Sequence, residues 1–372
     1  MLDAVDGRQW SIHATPGDSW CFTFLSARRL FSCSRSEIRL WTLPESAPAI
    51  VATIPSPSVA NNVVFDSAHN ALLDGNDGRV YVIERGDTRA QHIHTHDALS
   101  FGVAWCGGEA CSAGWDGRVL CTDLVTDTVR VAADVQSVAP WLASGGNQCF
   151  TAAASGGIFD LRAPDKPSYK HRHEPYRLAV SPDGRYIASG DWGGDVVVFD
   201  IGRREVIATR EGAHDGRVTN VAWTDGLLVT SGSDGVLRLW NVLLEERRTW
   251  RMPSAIRHLD AAAQTVGVAL DDGSLWLLST RGAFTRHVET GAIVSTSALS
   301  PEGTFLAAGT NHGEVIVVST DGRAAATGFG HGHISCLGFE GATSFLVCTP
   351  SGRVMRVPVS ALSFQSTSGE QR

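Results

Sequence analysis

Lysine is nearly missing from this chain: of 31 basic residues only Lys166 and Lys170 are lysine. An arginine bias this strong reads as a GC-rich coding sequence, with selection for bidentate contacts the lesser explanation. Apolar residues make up 43% of the chain, enough for a core, yet no eighteen of them run together. No segment therefore reads as a membrane-spanning helix. The opening MLDAVDGRQWSIHA has no basic and no apolar stretch, so no signal peptide is expected. The eight cysteines form no CxxC pair. Most fall in expected strands, where a thiol behaves as a small buried hydrophobe, and a reducing cytoplasm fits them best. No Pro-rich or charge-rich linker interrupts the sequence. The net charge of −8 argues against general attraction to nucleic acid or to an anionic membrane.

What is present is a repeat. Residues 214–241 read HDGRVTNVAWTDGLLVTSGSDGVLRLWN. They hold three short apolar runs with period-two alternation, which favours strands over helix. Thr224-Asp225-Gly226 and Ser233-Asp234-Gly235 read as tight hairpin turns. The same Gly-turn and apolar strand recur at Gly78, Gly117, Gly157, Gly194, Gly235, Gly273, Gly313 and Gly352. Their spacings are 39, 40, 37, 41, 38, 40 and 39 residues. SEIRLWT at 36–42 is a further copy, which makes nine. A period near forty with room for four strands per unit predicts the blades of a β-propeller. The fourth copy is the weakest, because Ser155-Gly156-Gly157 is a shortened turn. The prediction is nine blades, with eight as the runner-up, since four to eight are typical.

The pattern His…Ser-Gly-Ser-x-Asp-Gly…Trp-Asp resembles the tryptophan–aspartate (WD) repeat. The sixth copy matches it best, with His214, Thr230, Asp234 and Trp240 at the family's spacing. In the fifth, Gly193 stands where Asp is usual and Phe199 where Trp is. In the third, Thr122 replaces Trp. The resemblance implies an all-β fold: a single closed propeller over residues 1–360, followed by a polar tail, 361–372, expected to fray. It also implies closure by the amino-terminal strand, RQWSIHA at 8–14. That strand would become the outer strand of the last blade, whose own fourth strand is missing. An open ring would leave exposed edges that invite aggregation.

Each candidate for chemistry has a structural alternative. His214, Thr230 and Asp234 mimic a catalytic set, but the resemblance makes them, with Trp240, a hydrogen-bonded tetrad tying strands together. His92, His94 and His96 alternate in HIHTH and could converge on a metal. His171/His173 and His331/His333 repeat that spacing, but no carboxylate or thiolate ligand is spaced with them. FDLR at 159–162 resembles the WD-x-Arg box of propellers that serve as ubiquitin-ligase substrate receptors, with Phe in place of Trp.

The turn residue just before the tetrad Asp slot should point out of one face of the ring. The series reads Asn76, Trp115, Trp192, Ser233, Asp271, Asn311 and Pro350. A Trp in a turn is costly unless it meets a partner. Tyr176 and Arg217 should rim the same face. The predicted function is a non-catalytic, cytoplasmic scaffold without cofactor. It would bind a partner protein or peptide, within a multi-protein assembly, through Trp115, Trp192, Asn76, Asn311, Tyr176 and Arg217. The alternative is a metal-dependent enzyme or small-ligand binder using the central channel.

Overall fold

Short β-branched and aromatic runs punctuated by turn residues leave this chain little choice but strand. The structure, a computed structural model, describes residues 3–5, 9–13, 19–26, 29–34, 37–42, 49–55, 60–66, 68, 70–75, 77–84, 89–138, 141–145, 148–330, 332–349 and 353–366. Among these, one 3-10 turn, Val359–Ala361, is the sole helical element. The strands form nine antiparallel sheets, taken here in chain order. The first seven cover residues 19–55, 60–95, 100–134, 141–170, 175–210, 218–251 and 256–289. Each has four strands in consecutive order.

The sixth sheet shows the local logic. Its strands are Val218–Thr224, Leu227–Gly232, Val236–Trp240 and Glu246–Arg251. Asp225 and Gly226 both take positive φ, 49° and 73°, the pair of conformations a two-residue type I′ hairpin demands. The fourth sheet is the slightest. It ends in the two-residue strand Tyr169–Lys170, beyond the shortened turn at Gly156.

By their contacts the sheets fall into two compact units. One comprises residues 54–250 and holds the second to sixth sheets. The other comprises residues 1–53 and 251–372 and holds the first, seventh, eighth and ninth. Within each unit the core lies between successive sheets. Ala188, Val196 and Val198 of the fifth sheet pack on Val218, Leu228 and Trp240 of the sixth. Gly190 allows the close approach, because a Cβ there would lie 2.4 Å from Val218. In the other unit, Ala307 and Val317 of the eighth sheet pack on Phe345, Val347 and Val357 of the ninth.

The amino-terminal strand sits where the sequence predicts. Gln9–His13 pairs antiparallel with Arg353–Pro358 of the ninth sheet, with Trp10 opposite Arg356 and His13 opposite Arg353. Asp3–Val5 then adds a further strand outside it. The carboxyl end departs from expectation. Gln365–Ser366 pairs with Arg323–Gly328 as a fifth strand of the eighth sheet. Phe364 packs against the core shared by the eighth and ninth sheets. The tail is thus held as far as Ser366 by an apolar anchor and a free sheet edge.

The cysteines also depart from expectation. Cys106–Cys149, Cys111–Cys121 and Cys336–Cys348 are disulfides. Cys111 and Cys121 are direct cross-strand partners, as are Cys336 and Cys348. Cys21 and Cys33 also face one another in register. The Cys111–Cys121 and Cys336–Cys348 partners share a face of their sheet and stand at bonding reach. Reading the thiols as separate buried hydrophobes is corrected for these six, and the argument from them to a reducing compartment loses its footing. Cys106–Cys149 joins the third and fourth sheets across 43 residues, a loop whose closure stabilises by about 4 kcal/mol in the chain-entropy picture.

Candidate functional site

The turn residues singled out by the repeat are structurally equivalent. In each case the backbone N–H donates to a carbonyl at the start of its sheet's first strand. Trp115 donates to Leu99, Trp192 to Glu174, Ser233 to Arg217, Asp271 to Ala255 and Asn311 to Ile293, at 2.9–3.0 Å. Asn76 and Pro350 lie outside the described residues. Just beyond each accepting carbonyl the first strand carries a β-bulge. In the fifth sheet the register shifts between Pro175 and Arg177, so Tyr176 is the extra residue. The sixth sheet has the same shift between Val218 and Asn220. A bulge re-aims a side chain out of the alternating pattern.

Tyr176 is re-aimed into a stack. Its ring lies 5.5 Å from Trp192 and 6.2 Å from Trp141, edge-on to both. The Arg177 guanidinium carbon sits 4.6 Å from the Trp141 centroid and 4.5 Å from that of Tyr176. Arg217 sits 5.3 Å from Tyr176 and 5.0 Å from Trp192. Three rings and two guanidiniums, from the fourth, fifth and sixth sheets, therefore form one patch in the unit of residues 54–250. Trp192 is 46% exposed and Trp115 is 48% exposed. Trp115 occupies the equivalent turn of the third sheet. Asn311 belongs to the other unit. Trp141 and Arg177 were missed by sequence reasoning. Trp141 reads as an ordinary strand aromatic, and the bulge that sets Arg177 against it has no sequence mark.

The tetrad of the sixth sheet is a continuous hydrogen-bond chain. Trp240 Nε1 donates to Thr230 Oγ1 at 2.8 Å. The same hydroxyl is 2.8 Å from His214 Nε2, and His214 Nδ1 is 3.1 Å from Asp234. Thr230 is fully buried, so its hydroxyl is out of a substrate's reach. Burial, with the nearby Arg238 charge, holds the His214 imidazole below its ordinary pKa against the pull of Asp234. Burial pushes the Asp234 carboxyl up, but His214 and the Val236 amide together outweigh it and hold it below its ordinary value.

The third and fifth sheets keep this chain with different parts. Thr122, in the Trp slot of the third sheet, is too short to reach Ser112, and His94 bridges them. Its Nδ1 is 2.6 Å from Thr122 and its Nε2 is 2.6 Å from Ser112. His96 then takes the tetrad position, 2.7 Å from Ser112 and 3.0 Å from Asp116. In the fifth sheet Phe199 fills the Trp slot, and the Tyr169 hydroxyl, 2.8 Å from Ser189, takes over the bond. Tyr169 and His94 each stand two residues before their tetrad histidine. The carboxylate missing at Gly193 is supplied from two residues earlier by Asp191, 3.3 Å from His171 Nδ1. Burial raises the Asp191 carboxyl, but His171 and the amides of Asp195 and Gly193 hold it below its ordinary value.

The histidines of HIHTH thus go to the hydrogen-bond chain, while exposed His92 bonds Thr95. The fold does bring carboxylates to another histidine. His173, Asp191 and Asp195 hold ligand atoms within 4.8 Å of one another. Arg162 of the FDLR segment folds back onto Asp160 through two bonds of 3.1 and 2.8 Å. Beside it, Asp165, Lys166, Pro167 and Arg204 line a cleft of about 620 Å³ over Phe199.

The family described as "WD domain, G-beta repeat" matches residues 167–200 and 205–241. An uncharacterized WD repeat-containing protein of Schizosaccharomyces pombe is 40% identical over 67 residues, 18% of this chain and 11% of that protein. Human cilia- and flagella-associated protein 52 is 31% identical over 119 residues, 30% of this chain and 19% of that protein. The chain therefore aligns with less than a fifth of the length of either relative. The solved C-terminal WD40 domain of Sif2 superposes with a TM-score of 0.63 at 14% identity. It covers 94% of this chain and 98% of that one, a likeness of fold.

Proposed function

The chain is a WD-repeat protein, and from that premise we propose that it is a non-catalytic scaffold binding a partner protein or peptide through the face that carries Trp192. WD-repeat proteins generally serve as protein-interaction scaffolds. The observation that carries the reading here is the stack of half-buried Trp141 and Tyr176 with exposed Trp192, flanked by Arg177 and Arg217. Aromatic and arginine side chains held rigidly at a surface are the composition of interface hot spots. A surface already ordered by its scaffold loses little entropy on binding. By the repeat pattern, Trp115, Asn76 and Asn311 are proposed as further members of the binding set. The scaffold as proposed is one domain over residues 1–360. Its nine sheets are the blades of a closed ring, joined by the amino-terminal strand, with 361–372 as the tail. The assembly it serves is of protein, without nucleic acid or membrane, in keeping with the net charge of −8.

The test is capture of the native partner by the full chain and by Trp115→Ala and Trp192→Ala. Both variants should keep the parent's circular dichroism and melting temperature while the Trp192 variant loses at least about tenfold in affinity. Undiminished binding by both would sink the reading. The group of His173, Asp191 and Asp195 favours a second reading, a metal-dependent site. Stoichiometric metal in the purified protein, lost in His173→Ala, would support it.

A further inference from the structure

Two arginines hang on one tyrosine ring. Arg177 and Arg217 both lie within 5.3 Å of the Tyr176 centroid. Among the described residues, neither guanidinium is in an ion pair. Other arginines of the same unit are paired with carboxylates, as with Arg130 on Glu109 and Arg118 on Asp97. Stacking on a ring uses the guanidinium's faces and leaves its edge N–H donors free. Arg177 gives one of these to the Tyr176 carbonyl at 3.3 Å. Two like charges held close repel unless an anion comes between them. The aromatic walls on either side lower the local dielectric, which strengthens an anion's attraction.

Resting on the scaffold reading, we infer that this patch recognises an acidic peptide. Asp or Glu carboxylates would be clamped by Arg177 and Arg217, and the adjoining apolar part of the peptide would lie on Trp192. A carboxylate matches the planar guanidinium edge with two parallel hydrogen bonds. Tyr176 sets the spacing between the clamps. Trp141 and Trp192 keep each guanidinium from swinging into solvent, so the clamp is organised before the peptide arrives.

The experiment uses the full chain and fluorescein-labelled peptides of one sequence in four forms: Asp/Glu-rich, Asn/Gln-substituted, Lys-substituted and phosphoserine-substituted. Binding is read by anisotropy and by the fluorescence of the buried and exposed tryptophans. The Asp/Glu form should bind at least about tenfold more tightly than the Asn/Gln form, with the Lys form weaker still. Arg217→Gln and Arg177→Gln should each remove most of that preference at an unchanged melting temperature. Arg217→Lys, which keeps the charge and loses the fork, should fall between. The inference is overturned if the acidic form fails to bind, or if its advantage survives both glutamine variants. Phosphoserine preferred well above carboxylate would overturn it too. If all forms bind equally and Trp192→Ala abolishes binding, the scaffold reading stands and the acidic specificity falls. If native partner capture and peptide binding both ignore Trp192→Ala, both fall.

Discussion

His94 stands in for a tryptophan. Its Nε2 is hydrogen-bonded to Ser112 where Trp240 Nε1 donates to Thr230 in the sixth sheet, and its Nδ1 bonds Thr122 as well. Where Trp240 is present, the residue two before the tetrad histidine is Gly212. His94→Gly should therefore take this partner from the buried Thr122 hydroxyl, while Ser112 keeps His96, and cost roughly 1–3 kcal/mol. Adding Thr122→Trp should restore part of the loss, as read by urea denaturation, because it rebuilds the sixth-sheet arrangement. A double variant no more stable than the single one would refute the substitution. Buried ionisable groups also make opposite pH predictions. Burial, with His96 and His92 beside it, lowers His94 from 6.5 to about 3. The unfolded chain then takes up a proton the fold refuses, and His94's contribution drains away as pH falls from 6.5 towards 3. Burial raises Asp74 from 3.8 to about 6 against the bonds from Asn62 and Ser100. There the fold holds the proton, so Asp74 adds stability as pH falls through 6. Asp74→Asn should accordingly lose ground to the parent as pH drops from 7 to 5. A stability difference that is flat over that range would contradict the burial of this carboxyl. The sixth-sheet tetrad was legible because all four members keep the family's residue types. The exchange of Asp191 for Gly193 and the roles of His94 and Tyr169 were not, because each is a compensation between residues that only the sheet brings together.

Hairpins were the most legible elements, since a Gly-Asp turn between alternating runs states both strands and their register. The terminal strand was legible for a different reason: the ninth unit had three strands and the chain began with one to spare. Pairing of Gln9–His13 with Arg353–Pro358 covers an edge that would otherwise present unpaired N–H and C=O groups. Deleting residues 1–14 should lower the melting temperature and add concentration-dependent self-association beyond that of the parent, seen by sedimentation velocity. A truncated chain that associates no more than the parent and is equally stable would show that the edge needs no cover. The bulge at Tyr176 and the bond from Cys106 to Cys149 were hidden for one shared reason. A bulge adds no recognisable residue type, and the two cysteines lie in different sheets, so neither is recorded in the spacing along one repeat.

Among the described residues the strands form nine sheets of similar length, and the ring as proposed would be closed by the amino-terminal strand in the last of them. The scaffold as proposed would draw added rigidity from closure, which would hold the sheets carrying Trp192, Tyr176 and Arg217 fixed before a partner arrives. A ring and an arc would bury the same sheet-to-sheet cores and differ in extent. Size chooses between them. A compact chain of 372 residues should have a radius of gyration of about 21 Å by the scaling for globular domains. Solution scattering should therefore give a value near that, with a single-peaked distance distribution. An open arc or two separately tumbling bodies would give a larger radius and a long-distance shoulder. That result would remove the added rigidity proposed for the binding face.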